Sequence, residues 1–113
     1  MRLTLEKPPT TPFELAVHRF VQSVPVGRVT TYGDVALAVG RPGAARAVGN
    51  VMRCNPDTKV TPCHRVVRSN GNVGGYGGTT LDVSRKLRRL KEEGVAVGRD
   101  GMVRDFEAIR YPA

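Results

Sequence analysis

Residues 31–53 read TYGDVALAVGRPGAARAVGNVMR. Val35, Ala36 and Val39 recur at helical spacing and predict a helix over about 31–39, with Thr30 or Thr31 as its cap. Gly40 stops that helix, and Arg41-Pro42-Gly43 supplies a tight turn. Ala44, Ala45, Ala47, Val48, Val51 and Met52 predict a further helix over about 43–53. Helix, short glycine-containing turn and helix form the helix-turn-helix pattern, although many helical hairpins share that shape. The stretch AARAVG has almost no bulk around Arg46. Such a helix can press close to another surface while one long cation projects from it. A narrow groove suits this arrangement, and so does a tightly packed core helix with one exposed arginine. The pattern alone does not separate the two.

Upstream, Thr11-Pro12-Phe13-Glu14 is a helix start, with Thr as N-cap, Pro at the first position and Glu completing a capping box. Phe13, Ala16, Val17, Phe20 and Val21 then repeat at helical spacing. His18 falls off that stripe, which predicts a surface or half-buried histidine. Val24-Pro25-Val26-Gly27 ends the helix, and Val29-Thr30-Thr31 reads as a short extended piece. Residues 1–10 form a polar lead-in to a domain expected over 11–113.

Downstream, Asn55-Pro56 breaks the helix, and Ser69-Asn70-Gly71-Asn72 is a turn. Gly74-Gly75-Tyr76-Gly77-Gly78 lacks phosphate-loop spacing. A fourth helix is predicted over about 80–93, with Val83, Leu87 and Leu90 inward and Arg85, Arg88, Arg89 and Lys91 mostly outward, capped by Gly94. Val95–Val97 and Met102-Val103 flank GRDG as a small hairpin. The fold class expected is mainly α with a small β component, a winged helix-turn-helix-like single domain.

Eighteen lysines and arginines oppose ten acidic residues, a formal net charge of +8. Such an excess on 113 residues fits a partner rich in phosphate, and it also fits a membrane surface or an acidic protein. No apolar run approaches membrane-spanning length, and MRLTLEKPPTTP has no secretory h-region, so a cytoplasmic protein without a membrane partner is expected. Two cysteines are too few for a disulfide framework. Cys63 and His64 are adjacent, His18 is distant, and no C-x-x-C pair exists, so a metal site is not expected. A reactive thiol or core filler remains for each cysteine.

Five stretches together resemble the catalytic, DNA-binding domain of the O6-alkylguanine-DNA alkyltransferases, also called methylated-DNA–protein-cysteine methyltransferases. They are VPVGRVTTYGDVA, GAARAVGNVMRCNP, TPCHRVV, VGGYGG and the KEEG that closes the fourth helix. The resemblance runs from about Pro12 to Gly94, in the family's order. It implies that Cys63 accepts the alkyl group, that His64 and Glu93 polarise it through a water, and that Asn55 braces the turn carrying the site. Tyr32 would press on the DNA backbone and assist proton movement at the base. Arg46 would fill the gap left by the flipped nucleotide, with Ala45 and Gly49 on the groove-facing helix. Arg41, Gly43, Arg53 and Lys59 would be backbone contacts. Tyr76, Gly74 and Gly77 would wall the base pocket, with Val66 and Met52 packing beside it.

That chemistry asks for these residue types. A free thiol titrates near about 8.5, so a base must take its proton at neutral pH. A carboxylate behind the imidazole orients it. The thioether product has no good leaving group, so one protein would repair one base. The implied partner is double-stranded DNA containing O6-alkylguanine, bound in a minor groove only about 6 Å wide. A monomer and no cofactor are expected. Full-length relatives usually carry an additional N-terminal domain, which this chain is expected to lack. Short relatives, the alkyltransferase-like proteins, bind the lesion with another residue in the cysteine position and flag it for other repair. That sensor role is the alternative function; a winged-helix regulator with an inert cysteine is more distant. Departures from the family pattern are Thr58, where some relatives have proline, Gly77, where a larger residue is common, and Cys54, read as a packing residue.

Overall fold

The first two helices are capped by the residues that the sequence offers as caps. In the computed structural model, which describes residues 11–74 and 83–112, helix α1 spans Pro12–Gln22. The Glu14 amide donates to Thr11 Oγ1 and the Thr11 amide donates to Glu14 Oε1, both at 3.1 Å, so the capping box is closed in both directions. Val17 and Val21 turn inward, and Gly27, at φ +86°, lets the chain reverse into strand β1, Thr30–Thr31. Thr31 then caps helix α2, Tyr32–Ala38, by accepting the Asp34 amide at 2.9 Å. Gly40 and Gly43 both take positive φ in the turn. Helix α3 therefore begins at Ala45, later than the predicted 43, and runs to Arg53.

A single 3-10 turn, Cys63–Arg65, leads into strand β2, Val66–Val67. The two short strands run parallel, Thr30 opposite Val66 and Thr31 opposite Val67. The predicted extended piece at 29–31 is thus a strand, with a partner more than thirty residues away that local pattern cannot name. Helix α4 is described over Val83–Glu92 and ends at Gly94, whose φ is +86°. The predicted hairpin is reduced to one antiparallel bridge, Val97 with Val103, while Met102 bridges to Asn72. A one-turn helix α5, Phe106–Ile109, follows. Beyond it, Arg110 bridges to Val29 in parallel and binds Asp34 through Nε at 2.8 Å and NH2 at 3.1 Å.

These elements enclose two apolar clusters. Val17, Val21, Val35, Ala36, Val48, Met52, Cys63 and Val66 join α1, α2 and α3 to the 3-10 turn. Val29, Val67, Val73, Leu90, Val95 and Val103 join the sheet to α4 and the C-terminal segment. The pattern is mainly α with a small β component, winged helix-turn-helix-like, as the sequence predicts. Among the described residues no helix is long and apolar enough to cross a membrane.

Two expectations need correction. His18 is buried, because its ring finds a partner in Thr61 across the α1 surface. Cys54 is exposed rather than packed, because α3 ends at Arg53 and leaves Cys54 as its C-cap.

Candidate active site and nucleic-acid interface

Thr61-Pro62 sets the entry to the 3-10 turn. The Cys63 amide donates to the Thr61 carbonyl at 2.8 Å, and the Arg65 amide donates to the Pro62 carbonyl at 2.9 Å. Asn55 Nδ2 donates to the same Thr61 carbonyl at 2.8 Å, while Asn55 Oδ1 accepts the Asp57 amide at 3.2 Å. Asn55 therefore ties the end of α3 to the segment just before Cys63. The Cys63 side chain is buried in the cluster between α1, α2 and α3.

His64 is buried beside it and points its Nε2 at Glu93 Oε2, 2.8 Å away. Arg65 grips the same carboxylate twice, Nε to Oε1 at 2.9 Å and NH2 to Oε2 at 2.7 Å, and its NH1 donates to the Val24 carbonyl at 2.7 Å. Burial works to raise the Glu93 carboxyl, but the hydrogen bonds from Arg65 and His64 outweigh it and hold Glu93 below the usual carboxylate range. Burial pushes the His64 imidazole down, and the opposing pull of Glu93 does not restore it. An ionised carboxylate only accepts, so the neutral imidazole carries its hydrogen on Nε2. Nδ1 is left with a lone pair, and this buried atom has no hydrogen-bond partner among the described residues. A basic nitrogen thus sits one residue from the buried thiol.

Lys86, which the sequence reading did not single out, completes the group. It is fully buried on α4, and its Nζ donates to the Val66 carbonyl at 2.8 Å. The ammonium lies 5.9 Å from the centre of the Tyr32 ring. Burial lowers Lys86 to about 8, negative charge at Cys63 works to raise it, and Arg68 adds to the lowering. The Tyr32 hydroxyl is raised, by burial first and then by the charge at Cys63, so it stays a protonated donor at neutral pH. A signal for Lys86 was present: it precedes Glu93 by seven residues, two helical turns, and shares its face. Arg65 likewise adjoins His64, and Thr61 stands two residues before Cys63.

On α3, Arg46 and Arg53 are exposed, Ala45 and Gly49 half-buried. Arg53 is held by Asn50, NH2 to Oδ1 at 2.8 Å. A Cβ at Gly49 would lie 4.0 Å from the Tyr32 ring, so this glycine is where α3 meets that tyrosine. Arg41 is exposed in the turn and lies over the Phe13 ring, 5.6 Å from its centre. Gly43 and Lys59 are exposed as well. Met52 and Val66 are buried in the same cluster as Cys63. Gly74, at φ +68°, lies against the Arg68 side chain. Tyr76 and Gly77 lie outside the described residues. The structure therefore brings Cys63, His64, Glu93, Asn55 and Tyr32 around one turn, and leaves Arg46, Arg41 and Arg53 on an exposed surface of the helix-turn-helix.

The chain is similar in sequence and fold to known proteins. The family profile of the 6-O-methylguanine DNA methyltransferase DNA binding domain matches residues 12–95. The methylated-DNA–protein-cysteine methyltransferase of Salmonella typhimurium is 46% identical over 84 residues, 74% of this chain and 47% of that protein. The DNA base-flipping protein of Escherichia coli K12 is 39% identical over 99 residues, 88% of this chain and 74% of that protein. Among solved structures, S. pombe Atl1 in complex with damaged DNA containing O6-carboxymethylguanine superposes with a TM-score of 0.75 at 33% identity, covering 89% of this chain and 95% of that one. Mycobacterium tuberculosis OGT in complex with DNA gives 0.68 at 39% identity, covering 74% and 50%. The chain spans about half the length of the curated methyltransferases it matches, 47% for the Salmonella protein. With its helix-turn-helix, its PCHRV turn and its His64–Glu93 pair all inside the matched span, the chain belongs to the family of the 6-O-methylguanine DNA methyltransferase DNA-binding domain.

Proposed function

We propose that this protein reverses alkylation damage in duplex DNA by moving an alkyl group from guanine O6 to Cys63 Sγ. The observation that carries the reading is the buried Cys63 beside a His64 whose Nε2 is committed to Glu93, leaving Nδ1 as the acceptor. A water between Nδ1 and Sγ would pass the thiol proton to the imidazole. The thiolate then attacks the alkyl carbon, forming the S–C bond as the C–O6 bond breaks. The electron pair returns to the guanine ring, and a proton completes the restored base. Tyr32, a protonated hydroxyl at this position, is the group that would steer that proton. The product is a thioether, so each molecule acts once.

The target atom faces the interior of a duplex, so the nucleotide must leave the stack, at a cost of roughly a few kcal/mol. The exposed Arg46 would offset part of this by entering the gap, and the small residues Ala45 and Gly49 would let α3 into the minor groove. Arg41, Arg53, Gly43 and Lys59 would meet phosphates. The +8 charge supports a DNA partner whose affinity falls with salt. The displacement needs a thiolate and a proton acceptor, both supplied by one monomer in the cytoplasm, and no cofactor.

A lesion sensor without efficient transfer is the second reading. It is favoured by the likeness to Atl1, of which the chain covers 95%. The retained thiol and its partners support transfer as the first reading. Cys63→Ala tests the choice: transfer is lost while selective binding of the alkylated duplex survives. Unchanged transfer in that variant would overturn the assignment of Cys63.

A further inference from the structure

Thr61 is a junction. Its amide donates to the Asp57 carbonyl at 3.0 Å, and its carbonyl accepts both the Cys63 amide and Asn55 Nδ2, each at 2.8 Å. Its hydroxyl meets two side chains of α1: His18 Nδ1 at 2.8 Å and Gln22 Nε2 at 3.0 Å. Thr61 is buried and so is His18. The directions of these bonds follow from the groups present. Gln22 Nε2 can only donate, so Thr61 Oγ1 accepts from it. The hydroxyl hydrogen is then free to turn to a lone pair on His18 Nδ1, 2.8 Å away. Burial lowers the His18 pKa and favours the neutral imidazole, whose Nδ1 offers that lone pair when its hydrogen is on Nε2.

Asn55 secures the backbone of this segment from the α3 side. The His18–Gln22 pair, one turn apart on α1, secures its side chain from the α1 side. Between the two lies the stretch that ends in the acceptor thiol. His18 and Gln22 touch neither Cys63 nor His64 in any hydrogen bond of the described residues. Their hydroxyl partner stands two residues before the sulfur, where a small rotation would displace it.

We propose that His18 and Gln22 are positioning residues that, through the Thr61 hydroxyl, hold the Cys63 turn in the geometry needed for alkyl transfer. This rests on the reading of Cys63 as the acceptor. Misplacement by about 1 Å can cost on the order of a hundredfold in rate. Thr61→Val keeps shape and removes the hydroxyl, leaving His18 Nδ1 and Gln22 Nε2 without their partner. Thr61→Ser keeps the hydroxyl.

The test uses two readouts on the full chain. The first compares the single-turnover transfer rate with the dissociation constant for the same O6-methylguanine duplex. In Thr61→Val the rate should fall roughly tenfold to a hundredfold while the dissociation constant changes little. The second needs no DNA: the rate at which iodoacetamide labels Cys63, taken relative to the exposed Cys54 in the same molecule. A loosened turn exposes the buried thiol, so the Cys63-to-Cys54 ratio should rise in Thr61→Val. Thr61→Ser should restore both readouts. If the wild-type chain transfers nothing, the acceptor reading fails, and the labelling ratio still decides whether the clasp holds the turn. A Thr61→Val protein with wild-type transfer and a wild-type ratio would overturn the proposal. So would a Thr61→Ser protein as impaired as Thr61→Val.

Discussion

Lys86 Nζ donates to the Val66 carbonyl at 2.8 Å from a fully buried position on α4. An ammonium without water around it is costly, and here burial lowers its pKa to about 8 from 10.5. The unfolded chain therefore binds more protons than the folded one between about 8 and 10.5, and stability rises with pH across that window. The gain amounts to on the order of 3 kcal/mol. Urea denaturation at a series of pH values should show this slope in the wild type and its loss in Lys86→Met. The same variant should transfer more slowly, because it removes a positive charge that favours an anionic sulfur. A Lys86→Met protein with the wild-type slope would refute the assignment of the slope to Lys86.

Glu93 binds both His64 and Arg65. Glu93→Gln removes the charge on which both depend and leaves Arg65 partly buried without an anion. It should destabilise the fold by about 3 kcal/mol, seen in chemical denaturation. It should also slow transfer on the order of a hundredfold or more, because the amide no longer dictates which nitrogen of His64 is basic. His64 titrates below 6.5, so the wild-type rate should hold at neutral pH and fall only as Nδ1 takes a proton below that value. A rate that declines already at pH 7 to 8 would contradict a neutral His64.

Arg46 is exposed on α3. Arg46→Ala should leave thermal stability within about 0.5 kcal/mol and weaken nucleotide extrusion. With 2-aminopurine at the target position, the fluorescence rise on binding should shrink markedly. An undiminished signal would assign the gap-filling role to another side chain.

Gly49 offers a gentler probe. Its Cβ would meet the Tyr32 ring at 4.0 Å, an ordinary contact. Gly49→Ala should therefore stabilise the helix by up to about 1 kcal/mol, the usual difference within a helix. A bulkier valine should reduce affinity for DNA by holding α3 out of the groove. Equal affinities for Gly49→Val and wild type would place the groove-facing surface elsewhere.

The elements legible in the sequence were those whose determinants are local. Thr11 and Glu14 announce α1 because a capping box closes within one turn. Gly40 and Gly94 announce helix ends because positive φ favours glycine. The PCHRV motif and its partners were legible through resemblance. What stayed hidden depended on distant encounters. β1 finds β2 across the chain, Arg110 reaches back to Asp34, and His18 is drawn into burial by Thr61. Lys86 drew no notice in the sequence, since hydropathy alone ranks a lysine as exposed. Its place two turns before Glu93 was the available clue.

The most direct measurement is the intact mass of the protein after incubation with a duplex containing one O6-methylguanine. The account predicts a gain of one methylene's mass, stoichiometric and confined to the peptide that carries Cys63 and not to the one carrying Cys54. Tight and selective binding of that duplex with no gain in mass would contradict it, and would make the chain a sensor of the lesion.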